Sequence, residues 1–432
     1  MLQSAKARIH RHDAEVATMA VIRPASSRIY TIAILAFAYA ILGILMNSVG
    51  VVILQSIQHL GATKPMGSLL EACKDLSVVA ASFFLATRVA VFGFRRTMIV
   101  ALLIMAAACL TASFVGTFPA MQLLFVATGL CFGVVKVATY STIGLLARDR
   151  QDHASITGTI EGAFMVGVLA GVWIFSVFIA ADRNGSGWLH VYWLIAGLCL
   201  LSALSWAALS LDERGAEGSH TQAGWREMAS LAVLPATIVA LAALFLYVLI
   251  EQGVGSWLPT FNSEVLHLPA AMSVQMSTIF LASLAVGRLG SGLVLRQFHW
   301  LPVLLTCLFA IAILILISLP LARGVMPRAD IGWASAPAAA YLFPLLGLFL
   351  APIYPTLCSV ALSGLPRPSH PAMVGLIVIF SALGGTLGSF ITGMLFQHLP
   401  GAIAFYFLLV PMTLIALILP MIRRRSRGTA AA

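Results

Sequence analysis

The sequence contains few charged residues. Only 9% of its 432 residues are Asp, Glu, Lys or Arg, whereas 60% are hydrophobic. A soluble domain usually contains about 25% charged residues, and water-soluble folding cannot cover this much apolar surface. The composition therefore excludes an ordinary soluble protein and predicts that lipid surrounds most of the chain.

Several motifs that carry chemistry are also missing. The six cysteines lie in apolar segments without a CxxC pair, so we predict neither disulfides nor a zinc site. The ten histidines lie at the ends of apolar runs or in tails and loops, and no HExxH occurs, so metal, haem and nucleophilic chemistry lack their ligands. No Gly-x4-Gly-Lys-Ser/Thr motif for ATP is present. We therefore expect no enzyme activity, no cofactor and no metal.

Apolar runs of membrane-spanning length recur along the whole chain. A spanning helix needs about 20 mainly apolar residues, and twelve runs meet that requirement. Their approximate ranges are 29–55, 66–87, 97–118, 119–146, 155–181, 188–210, 231–260, 271–295, 300–321, 334–363, 371–397 and 401–422. The sequence therefore predicts an all-α integral membrane protein with twelve transmembrane helices, numbered here in chain order.

The positions of Lys and Arg predict how these helices are oriented. If the N-terminus is cytoplasmic, nineteen Lys and Arg fall in cytoplasmic segments and four in the opposite segments, as the positive-inside rule requires. The net charge of +10 therefore marks topology and gives no reason to expect nucleic-acid binding. We predict a multi-pass protein of the inner (cytoplasmic) membrane with both termini in the cytoplasm.

A polar stretch between predicted helices 6 and 7 divides the chain into two halves. The predicted segments are a cytoplasmic tail at 1–28, an N-terminal six-helix half at 29–210, a cytoplasmic linker at 211–230, a C-terminal six-helix half at 231–422 and a basic cytoplasmic tail at 423–432. The first segment lacks the short apolar core of a signal peptide. Repeated halves of this kind are typical of secondary transporters, whose substrate site lies between the halves at mid-membrane.

Charged residues inside the apolar runs need a reason, because a charge in lipid is unfavourable unless it is paired or faces water. Predicted helix 2 contains Glu71, Lys74 and Asp75, whose i,i+3 and i,i+4 spacing places them on one face. Two carboxylates that share one ammonium favour a proton on one of them. The cluster is therefore either a proton-coupling site or a self-neutralising structural cluster.

Two further charges lie in predicted helices 4 and 5. Lys136 and Glu161 are each twelve residues away from Arg148 and Asp149, respectively, in the connection between those helices, which places them at similar depth. We predict that they pair with each other, or that Lys136 pairs with Asp75. Such a pair is either broken and remade during transport or is a static ion pair.

Predicted helix 7 contains a polar segment at 247–257. Its Tyr247, Glu251, Gln252 and Trp257 offer the hydrogen bonds and stacking surfaces that a polar ligand needs. Alternatively, Trp257 belongs to an aromatic belt at the membrane interface. Predicted helices 2 and 8 both end in a basic, glycine-containing stretch, and we assign these stretches a gating role. Their residues are Arg88, Gly93, Arg95, Arg96 and Arg288.

Four segments of the C-terminal half are similar to one known group of proteins. They are 247–258 (YVLIEQGVGSWL), 286–289 (VGRL), 350–356 (LAPIYPT) and 375–385 (GLIVIFSALGG). Together they resemble the fucose:proton symporter group of the major facilitator superfamily, and residues 154–171 resemble its TsgA-like branch. The resemblance implies a major facilitator fold. In that fold helices 3, 6, 9 and 12 are outer supports, and these predicted helices contain no Asp, Glu, Lys or Arg.

The sequence departs from the symporter pattern at two positions. Asn47 stands where the resemblance implies an aspartate in helix 1, and Lys136 stands where it implies a glutamate in helix 4. Proton coupling is therefore expected at Asp75, Glu161 or Glu251. A lysine in the cavity favours an anionic or zwitterionic substrate, because a buried cation attracts a carboxylate or a phosphate.

The sequence thus predicts a secondary active transporter that moves a small polar organic solute (a sugar, a sugar acid or another carboxylate) by alternating access with proton coupling. The alternatives are a proton antiporter that exports drugs or other organic compounds and a sensor that does not transport. The expected partners are the substrate, protons and the lipid bilayer, and we expect a monomer. The candidate substrate- and proton-binding residues are Asn47, Glu71, Lys74, Asp75, Lys136, Tyr140, Glu161, Tyr247, Glu251, Gln252 and Trp257.

Overall fold

The computed structural model describes residues 25–181, 185–209, 225–328, 331–363, 365–366 and 369–429. These residues form twelve spans, some of them built from consecutive helical pieces. The N-terminal half contains α1 (Ala25–Met46 and Val49–His59), α2 (Lys64–Ala80 and Ala86–Phe92), α3 (Phe94–Val115), α4 (Phe118–Leu146), α5 (Arg150–Ala181) and α6 (Val191–Ala208). The C-terminal half contains α7 (Pro235–Glu264), α8 (Ala270–Gln297), α9 (Trp300–Ala322), α10 (Ala339–Leu342, Leu346–Leu350 and Ile353–Ser363), α11 (His370–His398) and α12 (Gly401–Ala404 and Leu409–Thr429).

Eleven helices in the described part of the chain are long and apolar enough to cross a membrane. The remaining span, α2, carries the predicted charged cluster and is interrupted by a π-helical turn at Ala81–Leu85. It nevertheless lies where the sequence predicts a helix. Thr63 caps its start by accepting a hydrogen bond from the Met66 amide at 3.4 Å, as N-cap threonines do. The predicted twelve-helix, all-α fold is confirmed.

Two spans are broken near the centre of the molecule. α1 is interrupted at Asn47 and Ser48, where the Ser48 hydroxyl donates to the Leu45 carbonyl at 2.8 Å. α10 is interrupted between Leu350 and Ile353, where Pro352 cannot donate a backbone hydrogen bond. The break in α1 places Asn47 beside the space between the two halves.

Glycines allow equivalent helix pairs to pack closely in the two halves. A Cβ atom at Gly167 of α5 would overlap the backbone of Ala40 in α1. In the C-terminal half, a Cβ atom at Gly384 or Gly388 of α11 would overlap backbone carbonyl oxygens of α7. Small residues spaced four apart allow such close contacts between membrane helices. The pair α1–α5 therefore corresponds to the pair α7–α11.

The two halves meet chiefly where α2 packs on α11, α5 packs on α8 and the second piece of α1 packs on α7. We call the end of the bundle where α1 begins and α12 ends the terminal end, and the opposite end the distal end. At the distal end, Lys64 of α2 donates to the Glu264 carboxylate at 2.5 Å and to the Phe396 carbonyl at 3.1 Å. Gln58 of α1 donates to Ser263 of α7 at 3.2 Å. These bonds close the distal end between α1, α2, α7 and α11.

A second group of contacts closes the distal end between α5 and α8. The Trp173 and Trp333 rings stack with centroids 6.0 Å apart and planes 8° apart. Gln275 donates to the Ser176 hydroxyl at 3.2 Å and accepts from the Trp333 indole at 3.0 Å. The two groups of contacts together seal the distal side of the interface between the halves.

The observed helices differ from the predicted segments at both ends of the chain. α1 begins at Ala25, inside the predicted tail, and α12 continues to Thr429, so most of the predicted basic tail at 423–432 is helical. Arginine is a good helix former, which favours this continuation. A short helix, Trp225–Ala232, begins in the predicted linker at 211–230 and ends two residues beyond it. Most of the predicted N-terminal tail and the rest of the linker lie outside the described residues.

Candidate functional site

A cavity lies between the two halves, on the terminal side of the distal contacts. It consists of a chamber of about 230 Å³, called the enclosed chamber because it is the less open of the two, and an adjoining terminal-side chamber of about 340 Å³. α7 lines the terminal-side chamber from Val248 and the enclosed chamber up to Pro259, so the enclosed chamber is nearer the distal end. Spaces of this order suit a small solute. The residues that line both chambers are Met46, Glu251, Gln252 and Arg288.

The charged cluster of α2 contributes to both chambers. Glu71 and Lys74 line the enclosed chamber, and Asp75 lines the terminal-side chamber. The Lys74 ammonium lies 2.5 Å from Glu71 Oε1 and 3.4 Å from Asp75 Oδ1. The side chains of Glu71 and Lys74 are only 1% and 6% exposed. The prediction that these three residues share one face is confirmed.

Glu71 also bonds to the other half of the protein. Its Oε1 atom accepts from Gln252 Nε2 at 2.5 Å, and its Oε2 atom accepts from Ser256 Oγ at 2.8 Å. Gln252 and Ser256 are one turn apart on α7, so both reach the same carboxylate. Ser256 was not among the predicted site residues. Its spacing from Gln252 is the sequence signal that identifies it.

Glu251 of α7 faces α8 across the cavity. Its Oε1 atom lies 3.5 Å from Arg288, and the two side chains are 18% and 49% exposed. Arg288 belongs to the basic stretch of predicted helix 8 (271–295) to which a gating role is assigned above. In the structure it lies inside α8, and its side chain lines both chambers.

The predicted ion pair between Lys136 and Glu161 is not formed. In the part of the chain that the structure describes, Lys136 has no carboxylate within 4.0 Å, so pairing with Asp75 is also wrong. Lys136 is exposed and its ammonium lies 5.8 Å from the centroid of the Phe132 ring. Glu161 instead accepts a hydrogen bond from the Tyr140 hydroxyl at 2.6 Å. Residue counting predicted only that Lys136 and Glu161 lie at similar depth, and the side chain that contacts Glu161 is Tyr140.

Two aromatic residues of α7 are packed inside the protein. Trp257 is fully buried, donates to the Ser389 carbonyl at 2.9 Å and stacks on Phe396 with centroids 5.6 Å apart. It lines neither chamber and does not belong to an interfacial belt. Tyr247 is fully buried with its ring 5.6 Å from that of Tyr354. Both residues support the cavity wall from behind.

Asn47, a predicted binding residue, lines the enclosed chamber, and its Nδ2 atom lies 3.4 Å from the Gly43 carbonyl oxygen.

Apart from Arg288, the predicted gating residues lie at the terminal end. Gly93 separates α2 from α3 with φ of 94°, a value that favours glycine. Arg95 donates to the Trp206 carbonyl at 3.1 Å and also to the Ala207 carbonyl at the end of α6, where a cation is favourable. The two exposed members of the set are Arg88, which lines an apolar groove between α2, α3 and α4, and Arg96.

Residues 35–343 match the family model of the Major Facilitator Superfamily. The chain belongs to the major facilitator superfamily. No curated protein sequence matches the chain. Among the residues that the structure describes, no group of three or more His, Cys, Asp or Glu is placed to hold a metal ion.

Solved structures of other transporters share this fold. A mutant of the nucleoside transporter NupG has a TM-score of 0.72 and 12% identity, over 92% of this chain and 99% of that chain. A bacterial homologue of the human lysosomal transporter Spinster, inward-facing and occupied, has a TM-score of 0.65 and 15% identity, over 94% and 97%. A mutant of the E. coli fucose:proton symporter FucP has a TM-score of 0.57 and 16% identity, over 92% and 99%.

These comparisons confirm the predicted resemblance, because the fucose:proton symporter is among the similar structures. At such identities the likeness shows the fold. The family and the fold together identify this major facilitator protein as a multi-pass membrane transporter.

Proposed function

We propose that this protein is a secondary active transporter that carries a small polar organic solute by alternating access in symport with protons. The solute is a sugar, a sugar acid or another carboxylate. The observation that supports this most strongly is a cavity lined by charged residues from both halves and closed at its distal end. A solute in this cavity contacts both halves, so its binding favours one arrangement of the halves over another.

Three carboxylates are candidates for proton coupling, namely Asp75, Glu161 and Glu251. Asp75 has the best support. It shares Lys74 with Glu71, but the ammonium is 3.4 Å from Asp75 and only 2.5 Å from Glu71. Lys74 therefore neutralises Asp75 less completely, and Asp75 lines the terminal-side chamber, which is the more open of the two. A carboxylate in this position is suited to bind and release a proton during the cycle.

The location in the cell is part of the same proposal. We place the protein in the inner membrane as a monomer with both termini in the cytoplasm, since nineteen Lys and Arg then fall on the cytoplasmic side. In this orientation the distal closure lies on the outer side and the cavity faces the cytoplasm. Labelling of a cysteine placed near the C-terminus, in intact cells and in inverted vesicles, tests the orientation.

The first experiment identifies a ligand and then measures its transport. Thermal unfolding of the purified protein is recorded with neutral sugars, nucleosides, sugar acids, amino acids and lipophilic cations, because a ligand raises the melting temperature by mass action. Nucleosides and sugars are included because two of the structurally similar proteins are described as a nucleoside transporter and a fucose:proton symporter. Solutes that bind are then tested in proteoliposomes with an imposed proton gradient.

Symport predicts accumulation that a proton gradient drives and a protonophore abolishes. Asp75→Asn is expected to retain exchange of solute across the membrane and to lose gradient-driven accumulation. If lipophilic cations alone bind and move against the proton gradient, the protein is an efflux antiporter. If ligands bind and no flux is measured, it is a sensor.

A further inference from the structure

Two cationic side chains of the described residues line the cavity, Lys74 and Arg288, and they differ in how fully they are paired. The Lys74 ammonium lies beside two carboxylates, with Glu71 Oε1 at 2.5 Å and Asp75 Oδ1 at 3.4 Å. Its side chain is only 6% exposed. The protein therefore already compensates the charge of Lys74, and little of the ammonium is open to a solute.

Arg288 is paired much less completely. A guanidinium has five N–H donors in a planar fork, and the ion-pair partner of Arg288 among the described residues is Glu251 at 3.5 Å. This distance is longer than the usual N–H···O range of about 2.7–3.2 Å. The Arg288 side chain is 49% exposed and lines both chambers. It is the cation in the cavity with donors available to a solute.

The backbone beneath Arg288 is held in place. A Cβ atom at Gly287 would overlap the carbonyl oxygen of Leu348, so α8 packs directly on α10 at this level. One residue later, the Arg288 side chain extends into the cavity. A fixed backbone with a lightly bound side chain suits a group that must hold a ligand and release it.

We propose that Arg288 binds a carboxylate of the transported solute, which replaces the Glu251 carboxylate on the guanidinium. The exchange replaces one long contact by a forked pair of charge-assisted hydrogen bonds, the geometry in which Arg binds carboxylates most strongly. This inference rests on the proposed transport function and narrows its substrate class to organic acids. A neutral solute leaves the contact between Arg288 and Glu251 intact and gains none of this energy.

The charge balance of the cavity connects this site to protons. Among the residues that the structure describes, the titratable groups that line the two chambers are Glu71, Lys74, Asp75, Glu251, Arg288 and Tyr354, and Tyr247 lies one turn from Glu251 behind the wall. These groups include three carboxylates and two cations, and a bound organic acid adds a fourth carboxylate. Uncompensated charge inside a membrane protein is unfavourable. Binding of the acid is therefore accompanied by proton uptake and becomes tighter at acidic pH.

The test uses matched pairs of solutes, in which one member has a carboxylate at the position where the other has a CH₂OH group. The pairs are D-glucuronate and D-glucose, D-gluconate and D-sorbitol, and lactate and propane-1,2-diol. Thermal unfolding and calorimetric titration of the purified full-length protein are recorded at a neutral and an acidic pH. We expect at least one carboxylate to raise the melting temperature while its neutral counterpart does not.

Three variants then locate the site. Arg288→Gln is expected to weaken binding of that carboxylate by at least about tenfold, since a charged hydrogen bond is lost. Glu251→Gln keeps Arg288 and removes its competitor, so binding is as tight as in the wild type or tighter. Arg296→Gln is the matched control, because Arg296 is an exposed arginine of the same helix that lines neither chamber, and its affinity is unchanged. If Arg288→Gln does not fold, the affinities of Arg288→Lys and Glu251→Gln for the carboxylate test the inference instead. Arg288→Lys is expected to bind more weakly than the wild type, because lysine lacks the planar fork of donors.

The inference is overturned if no carboxylate raises the melting temperature, if Arg288→Gln binds with wild-type affinity, or if Arg296→Gln loses binding to the same extent as Arg288→Gln. The proposed function can fail separately. If wild-type proteoliposomes accumulate a neutral solute under a proton gradient, transport stands and the anion site is wrong. If carboxylates bind through Arg288 but show no flux, the anion site stands and the transport proposal is wrong.

Discussion

Glu71 of α2 accepts a hydrogen bond from Gln252 of α7 at 2.5 Å, and this bond joins the two halves of the protein beside the enclosed chamber. The same oxygen atom, Oε1, holds the Lys74 ammonium at 2.5 Å. Glu71 Oε1 is therefore the acceptor both in the ion pair within α2 and in the hydrogen bond between the halves. A change in the charge of Glu71 affects the stability of the cluster and the contact between the halves together.

Removing the lysine of this cluster is expected to be more harmful than removing the glutamate. Lys74→Met leaves Glu71 and Asp75 without a cation, whereas Glu71→Gln leaves Lys74 paired with Asp75. We expect Lys74→Met to lower the free energy of unfolding by about 3–5 kcal/mol, the usual range for a broken buried pair, and Glu71→Gln to lower it by less. Denaturation of both variants in the same detergent measures the difference. A larger loss for Glu71→Gln would contradict the pairing described above.

A covalent cross-link across the distal end is expected to stop transport. Gln58 Nε2 and Ser263 Oγ lie 3.2 Å apart and belong to different halves, so cysteines at these positions can be joined by a short bis-methanethiosulfonate reagent, whose disulfide bonds to the two thiols are reversible by reductant. The cross-linked Gln58→Cys/Ser263→Cys protein cannot open at this end, and reductant restores its activity. The measurement is solute flux in proteoliposomes before and after reduction.

Both single-cysteine variants and the wild type, which has six cysteines of its own, are treated in the same way as controls. Full transport by the cross-linked double variant would show that the distal end does not need to open.

Double-mutant cycles are expected to separate the true partner of Glu161 from the false one. Tyr140 donates to Glu161 at 2.6 Å, and a hydrogen bond to a charged group contributes about 1.5–3 kcal/mol. The cycle of Tyr140→Phe and Glu161→Gln should therefore show coupling of this order. The charge swap Lys136→Glu with Glu161→Lys should be no more stable than the single variants. Rescue by the swap would mean that Lys136 and Glu161 pair after all.

The glycine contact between α7 and α11 yields a prediction with a matched control. Gly388→Ala places a methyl group against the Leu249 carbonyl oxygen, and overpacking of this kind costs about 1–3 kcal/mol. Gly197 of α6 has no atom within 4 Å of the corresponding position. Gly197→Ala should therefore be neutral or slightly stabilising, because alanine favours helix more than glycine does. Equal melting temperatures for the two variants would contradict the close packing.

The parts of the fold that sequence could predict depend on local pattern. The spans followed from the length of each apolar run, and the shared face of Glu71, Lys74 and Asp75 followed from helical spacing alone. The close approach at Gly384 and Gly388 is also a spacing effect. None of these features requires knowledge of how one helix is rotated relative to another.

The errors have the opposite character, because each depended on how a helix is rotated. Counting residues placed Lys136 and Glu161 at one depth, but it did not show that Tyr140 would face Glu161. Arg288 was assigned a gating role in the basic stretch of helix 8, and the helical spacing did not show that its side chain would line both chambers. Trp257 was expected at a ligand or at the membrane interface, and its indole N–H is instead bonded to Ser389.

The contacts at the distal end also influence the equilibrium between the conformation that is closed at this end and the conformation that is open there. Lys64 ties α2 to both α7 and α11, although it lines neither chamber. The apparent affinity of a ligand decreases when a smaller fraction of the molecules is in the conformation that binds it. Loss of Lys64 would enlarge the fraction open at the distal end, so a solute offered there would bind more tightly and one offered from the other side more weakly. A residue far from the solute would then alter transport kinetics as if it touched it.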